Sequence, residues 1–170
     1  MDKAARVWAK KYYGVARYIR MERSSLIYTI GKKYAYTKQY QGYPHSAGEK
    51  WWTKGKGRIP SNGRLVAYIH SHPNEPNFSV ADIGIAQRNY INAYVAIPRA
   101  TATTVDVKVY KKDARGRYHV SVVRRGIVFK TLSSSKKQAL VNRYKKRWDK
   151  HITDGCTRSY CRNNATWPRP

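Results

Sequence analysis

Acidic side chains are scarce in this chain. Of its 170 residues, 9 are Asp or Glu against 35 Lys or Arg, a formal charge of +26. So large an excess goes beyond what solubility needs, and it rules out a surface balanced by its own ion pairs. It implies a polyanionic partner: nucleic acid, an anionic membrane or an acidic protein. Self-repulsion of this kind weakens a fold at low salt, and a bound acidic partner relieves it.

Cysteine is nearly absent. Cys156 and Cys161 are separated by Thr157, Arg158, Ser159 and Tyr160, a spacing that does not match a paired zinc knuckle. A small disulfide-closed loop and a pair of reduced thiols both remain open. No apolar run approaches the ~18 residues of a membrane-spanning helix. The opening residues, Met1 to Arg6, have no apolar core of signal-peptide type, so export is expected within a larger delivery protein or through a dedicated secretion machine. Several enzyme classes fail on motif. Gly55-Lys56-Gly57-Arg58 lacks the Gly-Lys-Ser/Thr of a phosphate-binding loop, and no His-Glu-x-x-His helix occurs. The His-x-Glu and Pro-Cys-x-x-Cys of zinc deaminases are also missing. There is no internal repeat.

What is present centres on His70-Ser71-His72-Pro73, followed by Phe78-Ser79-Val80-Ala81-Asp82. The β-branched and apolar run Leu65 to Ile69 reads as a strand that ends at His70, and alternation along it points His70 and His72 the same way. Ser79 suits a helix N-cap, with Asp82 three residues on in the first turn. Two imidazoles at a strand end and a carboxylate at a helix start can converge on one metal ion. Zinc takes such N and O donors at about 2.0–2.2 Å, and a catalytic site leaves its fourth position to water.

The order His70-x-His72-Pro73, six residues from Pro73 to Phe78, then Ser79-x-x-Asp82 resembles the JAMM metalloprotease signature, with one residue fewer in the loop than usual. The chain is most similar to the JAB-like toxin domains at the C-termini of bacterial polymorphic toxins. That resemblance is carried by Met21-Glu22-Arg23, Ser25 to Tyr28, Gly31-Lys32-Lys33-Tyr34-Ala35-Tyr36-Thr37, Gly42, the central motif, Asp82-Ile83 and Tyr94-Val95-Ala96-Ile97-Pro98. It implies an α/β fold of JAMM/cytidine-deaminase-like type, a mixed sheet flanked by helices. It also implies Zn2+ or another divalent metal on His70, His72 and Asp82, Glu22 as the proton carrier, and Ser79 as a donor to the oxyanion. The reaction expected is hydrolysis of a peptide or isopeptide bond. The domain would be secreted or delivered by a producing bacterium, act in the target-cell cytoplasm, and be neutralised by an acidic cognate immunity protein.

Along the chain, Asp2 to Arg20 reads as a helix, with Ala4, Val7, Trp8, Tyr12, Val15 and Ile19 at helical spacing and Gly14 as a weak point. Arg23–Thr29 and Lys32–Tyr40 read as a hairpin turning at Gly31. Residues 41–62 read as a loop, rich in Gly and Pro and carrying His45 and Glu49. Its Trp51, Trp52, Lys54, Lys56 and Arg58 fit either base stacking or a minicore of the loop itself. Ser79–Asn89 is a helix and Tyr90–Pro98 contains a buried strand, which makes a βαβ unit with the strand before it. Thr103–Lys111 and Tyr118–Arg124 form a second hairpin, and Gly126–Leu132 adds a short strand.

A last helix, Lys136–His151, is basic, with Ala139, Leu140, Tyr144 and Trp148 on one face. Lys136, Lys137, Arg143, Lys145, Lys146 and Arg147 on it form a second candidate polyanion surface. Residues 1–153 are read as one domain and 154–170 as an irregular tail. Two functions stay open: a metal-dependent peptidase, and a nucleic-acid-directed toxin, nuclease or binder, on the same frame.

Overall fold

The computed structural model describes residues 1–42, 51–101 and 103–153, excluding the side chains of residues 51, 147, 148 and 150–153. The tail with Cys156 and Cys161 lies outside the described residues, as do His45, Glu49 and the side chains of Trp51, Arg147 and Trp148. The fold is mixed α/β. In chain order come α1 (Asp2–Ile19), β1 (Arg23–Ile30), β2 (Lys33–Tyr36), β3 (Tyr40–Gln41), α2 (Trp51–Lys56), β4 (Arg64–Ser71) and α3 (Val80–Arg88). Then follow β5 (Asn92–Pro98), β6 (Thr104–Lys112), β7 (Tyr118–Val128) and α4 (Ser134–Thr153).

The strands form one sheet in the order β2-β1-β4-β5-β6-β7, with β3 also paired to β1. Among the described strands only β4 and β5 run parallel, and they are joined through α3, as the βαβ reading expects; the other described pairs are antiparallel. Each face carries its own apolar layer. Under α1, Ala5, Trp8, Ala9 and Tyr13 meet Ile27, Ala67, Ile69, Tyr94, Ala96, Val107 and Phe129. On the other face, Leu26, Tyr68, Ala93 and Tyr110 meet Ala86 of α3, with Trp52 and Ile59 packed beside them. Alternation along β4 therefore sends Ile69 to α1, and Tyr68 and His70 towards α3.

Four expectations need correction. The buried face of α1 is Ala5, Trp8, Ala9, Tyr13, Ala16 and Ile19, whereas Val7 is 48% exposed. Small alanines, which weigh little in a hydrophobic pattern, allow close approach to the sheet, and the Trp8 indole N–H donates to the buried Ser25 Oγ (2.8 Å). Within residues 41–62, Trp51–Lys56 is helical; Gly55 is buried there because a Cβ would sit 2.9 Å from Leu26 Cγ. β7 does not stop at Arg124. It runs through Gly126 to Val128 with register shifts opposite Val105–Lys108. Gly126 takes a positive φ of 64° and its N–H donates to Asp106 Oδ1 (2.7 Å), so the glycine makes a bulge. On α4, Leu140 and Tyr144 pack against Ile19 and Met21 and Val141 is buried, while Ala139 is exposed.

Gly14 is explained by a close contact. A Cβ there would lie 2.8 Å from the Lys130 carbonyl oxygen and 3.0 Å from the Phe129 ring. Alanine gains roughly 1 kcal/mol of helix propensity, but forcing α1 off a backbone segment costs about 1–3 kcal/mol. Gly14→Ala is expected to lower stability, read as a lower urea midpoint with unchanged slope. A raised midpoint would show that the 129–130 segment yields freely.

Candidate metal centre

Strand register builds the site. β1 and β4 set Ser24 opposite His70 and Leu26 opposite Tyr68. Carried two residues further, the same register puts Glu22 opposite His72, so Glu22, His70 and His72 share the α3 face. The ladder also extends past β4, since His72 N–H donates to the Ala96 carbonyl (2.9 Å). Glu22 is held from its other side. Its carbonyl accepts from Gly42 N–H (2.9 Å) and from the Gln41 side-chain amide (3.0 Å). All three are buried: His70 and His72 are 2% exposed and Glu22 6%.

Asp82 arrives from the first turn of α3. Ser79 Oγ accepts from Asp82 N–H (3.2 Å), and Asp82 Oδ2 accepts from both the N–H and the hydroxyl of Ser79 (2.7 Å each). This reciprocal capping box fixes the carboxylate on the helix end nearest the histidines. The Tyr68 hydroxyl donates to the Asp82 carbonyl (2.7 Å), which ties α3 to β4.

The donor atoms converge. His70 Nε2 lies 2.9 Å from His72 Nε2 and 3.2 Å from Asp82 Oδ1. His72 Nε2 lies 3.4 Å from Asp82 Oδ2 and 3.9 Å from Glu22 Oε1. Ligands about 2.0–2.2 Å from a tetrahedral zinc ion stand about 3.3–3.6 Å apart; the His70–His72 and His70–Asp82 Oδ1 separations lie within a few tenths of an ångström of that, while the closest approach to His72 uses the other Asp82 oxygen. The buried triad of His70, His72 and Asp82 can hold a metal ion.

The surroundings favour that use. His72 Nδ1 lies 2.7 Å from the Asn77 carbonyl, which can only accept, so Nδ1 carries the proton and the lone pair of a neutral ring sits on Nε2. His70 stacks on Tyr68, ring centroids 5.5 Å apart at 24°. Its Nδ1 is buried without a hydrogen-bond partner, and so is the hydroxyl of Ser24, the residue set opposite it.

Charge inside the cluster is balanced internally. Burial on its own lowers the pKa of His72, but the Asp82 hydrogen bond and the charge of Glu22 outweigh it and hold the pKa above the ordinary 6.5. Burial works against ionising Asp82, yet His70 and then His72 drive its carboxyl far below the usual range. Tyr68 is pushed well above the usual phenol range, first by burial and then by Asp82.

Other sequence-predicted residues fall elsewhere. Trp52 is no free stacking surface: its ring packs edge-on to Tyr68 (6.3 Å, 85°), under the Lys56 ammonium (5.1 Å). Trp52 packs beside the apolar layer of Leu26, Tyr68 and Ala86 rather than in a core of the loop's own. Lys54 is exposed, and Arg58 donates to the Lys38 carbonyl (3.1 Å). On α4, Lys136, Arg143, Lys145 and Lys146 are exposed. Lys145 pairs with Asp149 (2.6 Å), and Lys137 lies over the Tyr18 ring (5.7 Å). None of these joins the histidine cluster.

Sequence reasoning missed Asn77, which acts through its backbone carbonyl, and Ser71, whose hydroxyl accepts from Arg23 N–H (2.9 Å). It also missed Tyr13, whose hydroxyl donates to the His72 carbonyl (3.3 Å). Backbone contacts leave no mark on residue spacing. No protein-family model matches this chain, and no curated protein matches it.

A pH prediction follows from the two shifts. The raised His72 contributes stability that is full below its unfolded pKa and is lost as pH rises through the folded value. The depressed Asp82 contributes above its unfolded pKa and is lost only in strong acid. The metal-free protein is therefore expected to be most stable between the ordinary values of 3.8 and 6.5. Metal must displace the histidine proton, so the rise in Tm on adding zinc is expected to grow from about pH 6 to about pH 8. Differential scanning fluorimetry with and without chelator measures both trends; a zinc-induced rise that shrinks with pH would contradict them.

Proposed function

We propose that this chain is a metal-dependent hydrolase of JAMM type, the toxin domain of a larger delivered protein, cleaving peptide or isopeptide bonds. One observation carries the reading. A buried carboxylate, Glu22, stands 3.9 Å from His72 Nε2, beside a three-donor cluster whose atoms lie within 4.8 Å of one another. A carboxylate so near a metal position without being needed as a ligand has the placement of a general base.

A divalent ion held by His70, His72 and Asp82 would supply Lewis acidity and a water able to lose its proton near neutral pH. Glu22 would take a proton from the attacking water and return it to the leaving nitrogen, and its burial would keep other water away. Ser79 Oγ is tied to Asp82 Oδ2, and in this reading it turns to donate to the developing oxyanion. The helix cap survives that turn through the Ser79 N–H. The contact of His72 Nδ1 with the Asn77 carbonyl would fix the ring whose Nε2 Glu22 faces.

Charge supports a second reading on the same residues. A peptidase has no general need of a +26 surface, whereas every phosphate contact benefits from Lys or Arg; a metal-dependent nuclease or nucleic-acid binder would use it directly. In either case the acidic immunity protein would relieve the positive field, and association would be fast and salt-sensitive. The site of action is taken to be the target-cell cytoplasm.

Glu22→Gln is expected to keep metal content and lose turnover by at least about a hundredfold. Purified wild type and variant are to be incubated with cell-extract proteins, total RNA and plasmid, each with and without chelator. Chelator-sensitive cleavage of protein that the variant lacks supports the peptidase. The same pattern on RNA or plasmid moves the chemistry to phosphodiesters. Full activity of Glu22→Gln on any of them would remove Glu22 from the mechanism.

A further inference from the structure

Two half-open cavities meet at the end of α1. One, of about 420 Å³, is lined by Gly14, Arg17, Tyr18, Arg20, Phe129 and Lys130, with Thr103, Thr131, Leu132 and Lys137 around them. The second, of about 350 Å³, shares Arg17 and Arg20 and adds Pro73, Asn74, Pro98 and Arg99. Pro73 directly follows His72, and Pro98 closes β5, so this second cavity lies beyond the carboxyl ends of β4 and β5, the one parallel pair of the described sheet. That is where open α/β sheets bind ligands, because strand ends and the following turns leave a crevice there. The turn at His72-Pro73 thus has the metal cluster on its α3 side and this cleft on its α1 side, joined by the Tyr13 hydroxyl on the His72 carbonyl.

We propose that this cleft binds the backbone and bases of a single-stranded nucleic acid. Five cations line the two cavities and no acidic side chain does. Arg99 Nε pairs with Asp106 Oδ1 (3.7 Å), which orients that guanidinium. Guanidinium forks match phosphate oxygens in pairs. The larger cavity combines these charges with an apolar floor of Gly14, Leu132 and the rings of Tyr18 and Phe129, suited to a base, and with the Thr103 and Thr131 hydroxyls. The Tyr18 hydroxyl is buried and has no hydrogen-bond partner. An acidic peptide would engage the cations but leave this floor unmatched, and a duplex cannot insert a paired base into a cavity of this size.

Neither face named from the sequence contributes much here. Of the described α4 cations only Lys137 lines the cleft, and the described residues of α2 line neither cavity. The inference stands apart from the hydrolase reading, because it concerns binding, and it is tested with metal chelated.

The probe is a fluorescein-labelled single strand of about 12 nucleotides, followed by anisotropy at about 150 mM salt. One variant carries Arg17→Gln, Arg99→Gln and Lys130→Gln; the control carries Lys136→Gln, Arg143→Gln and Lys146→Gln and loses the same charge. The cleft variant is expected to bind about tenfold more weakly and the control less than about threefold. Equal weakening by both would overturn the proposal, since the charge would then act as a diffuse field. A matched duplex that binds as tightly as the single strand, or oligoglutamate that competes as well as unlabelled strand, would overturn it as well. If the triple variant does not fold, Lys130→Glu serves instead: its side chain is exposed, and the same selective loss is expected. Unchanged binding by a folded Lys130→Glu counts against the cleft.

Discussion

A single carboxylate holds two requirements together. Asp82 Oδ2 accepts from the Ser79 N–H and hydroxyl, while its two oxygens face the Nε2 atoms of His70 and His72. Capping a helix is worth about 1 kcal/mol, whereas an unpaired buried charge costs several. The imidazoles, then, rather than the cap, are what make an ionised Asp82 tolerable at this depth. The cap contributes position: it sets which turn of α3 faces the strand ends, and so where the charge sits. Remove the carboxylate and two buried rings lose the group they both face, together with the helix start.

The remainder of the sheet serves that convergence. Antiparallel pairing of β1 with β4 delivers Glu22 opposite His72 by count alone, and the parallel step from β4 to β5 requires the α3 crossover that carries Asp82. α1 seals the far face with Trp8 and Tyr13 and reaches through the sheet edge to the His72 carbonyl. Buried alanines on α1 and the absent Cβ of Gly14 permit that approach. The same close docking leaves the cationic cleft between the end of α1, the 129–132 segment and the turn after β5.

Much of this was readable from residue order. The run Leu65 to Ile69, the His-x-His pair, the Ser79 cap and the Asp82 position all follow local rules of period and capping, and they stand where those rules put them. What escaped the sequence is long-range or carried by backbone. Gly126 reads as the start of a separate short strand and is a bulge within β7, because Asp106 meets its N–H from the neighbouring strand. The face of α1 was misread by about one position since alanines carry little hydrophobic signal. Trp52 looked available for stacking until Tyr68 filled its edge. Asn77 is chemically silent in sequence, as its carbonyl rather than its side chain fixes His72.

The central claim is that His70, His72 and Asp82 bind one metal ion. Titrating the metal-free protein with cobalt(II), and following the visible absorption of four-coordinate cobalt, tests it most directly. The signal is expected to rise linearly to one equivalent and then stop. His70→Ala, His72→Ala and Asp82→Ala should each abolish it while the far-ultraviolet circular dichroism is retained. No absorption from the wild type, or an undiminished signal from the folded variants, would contradict the account.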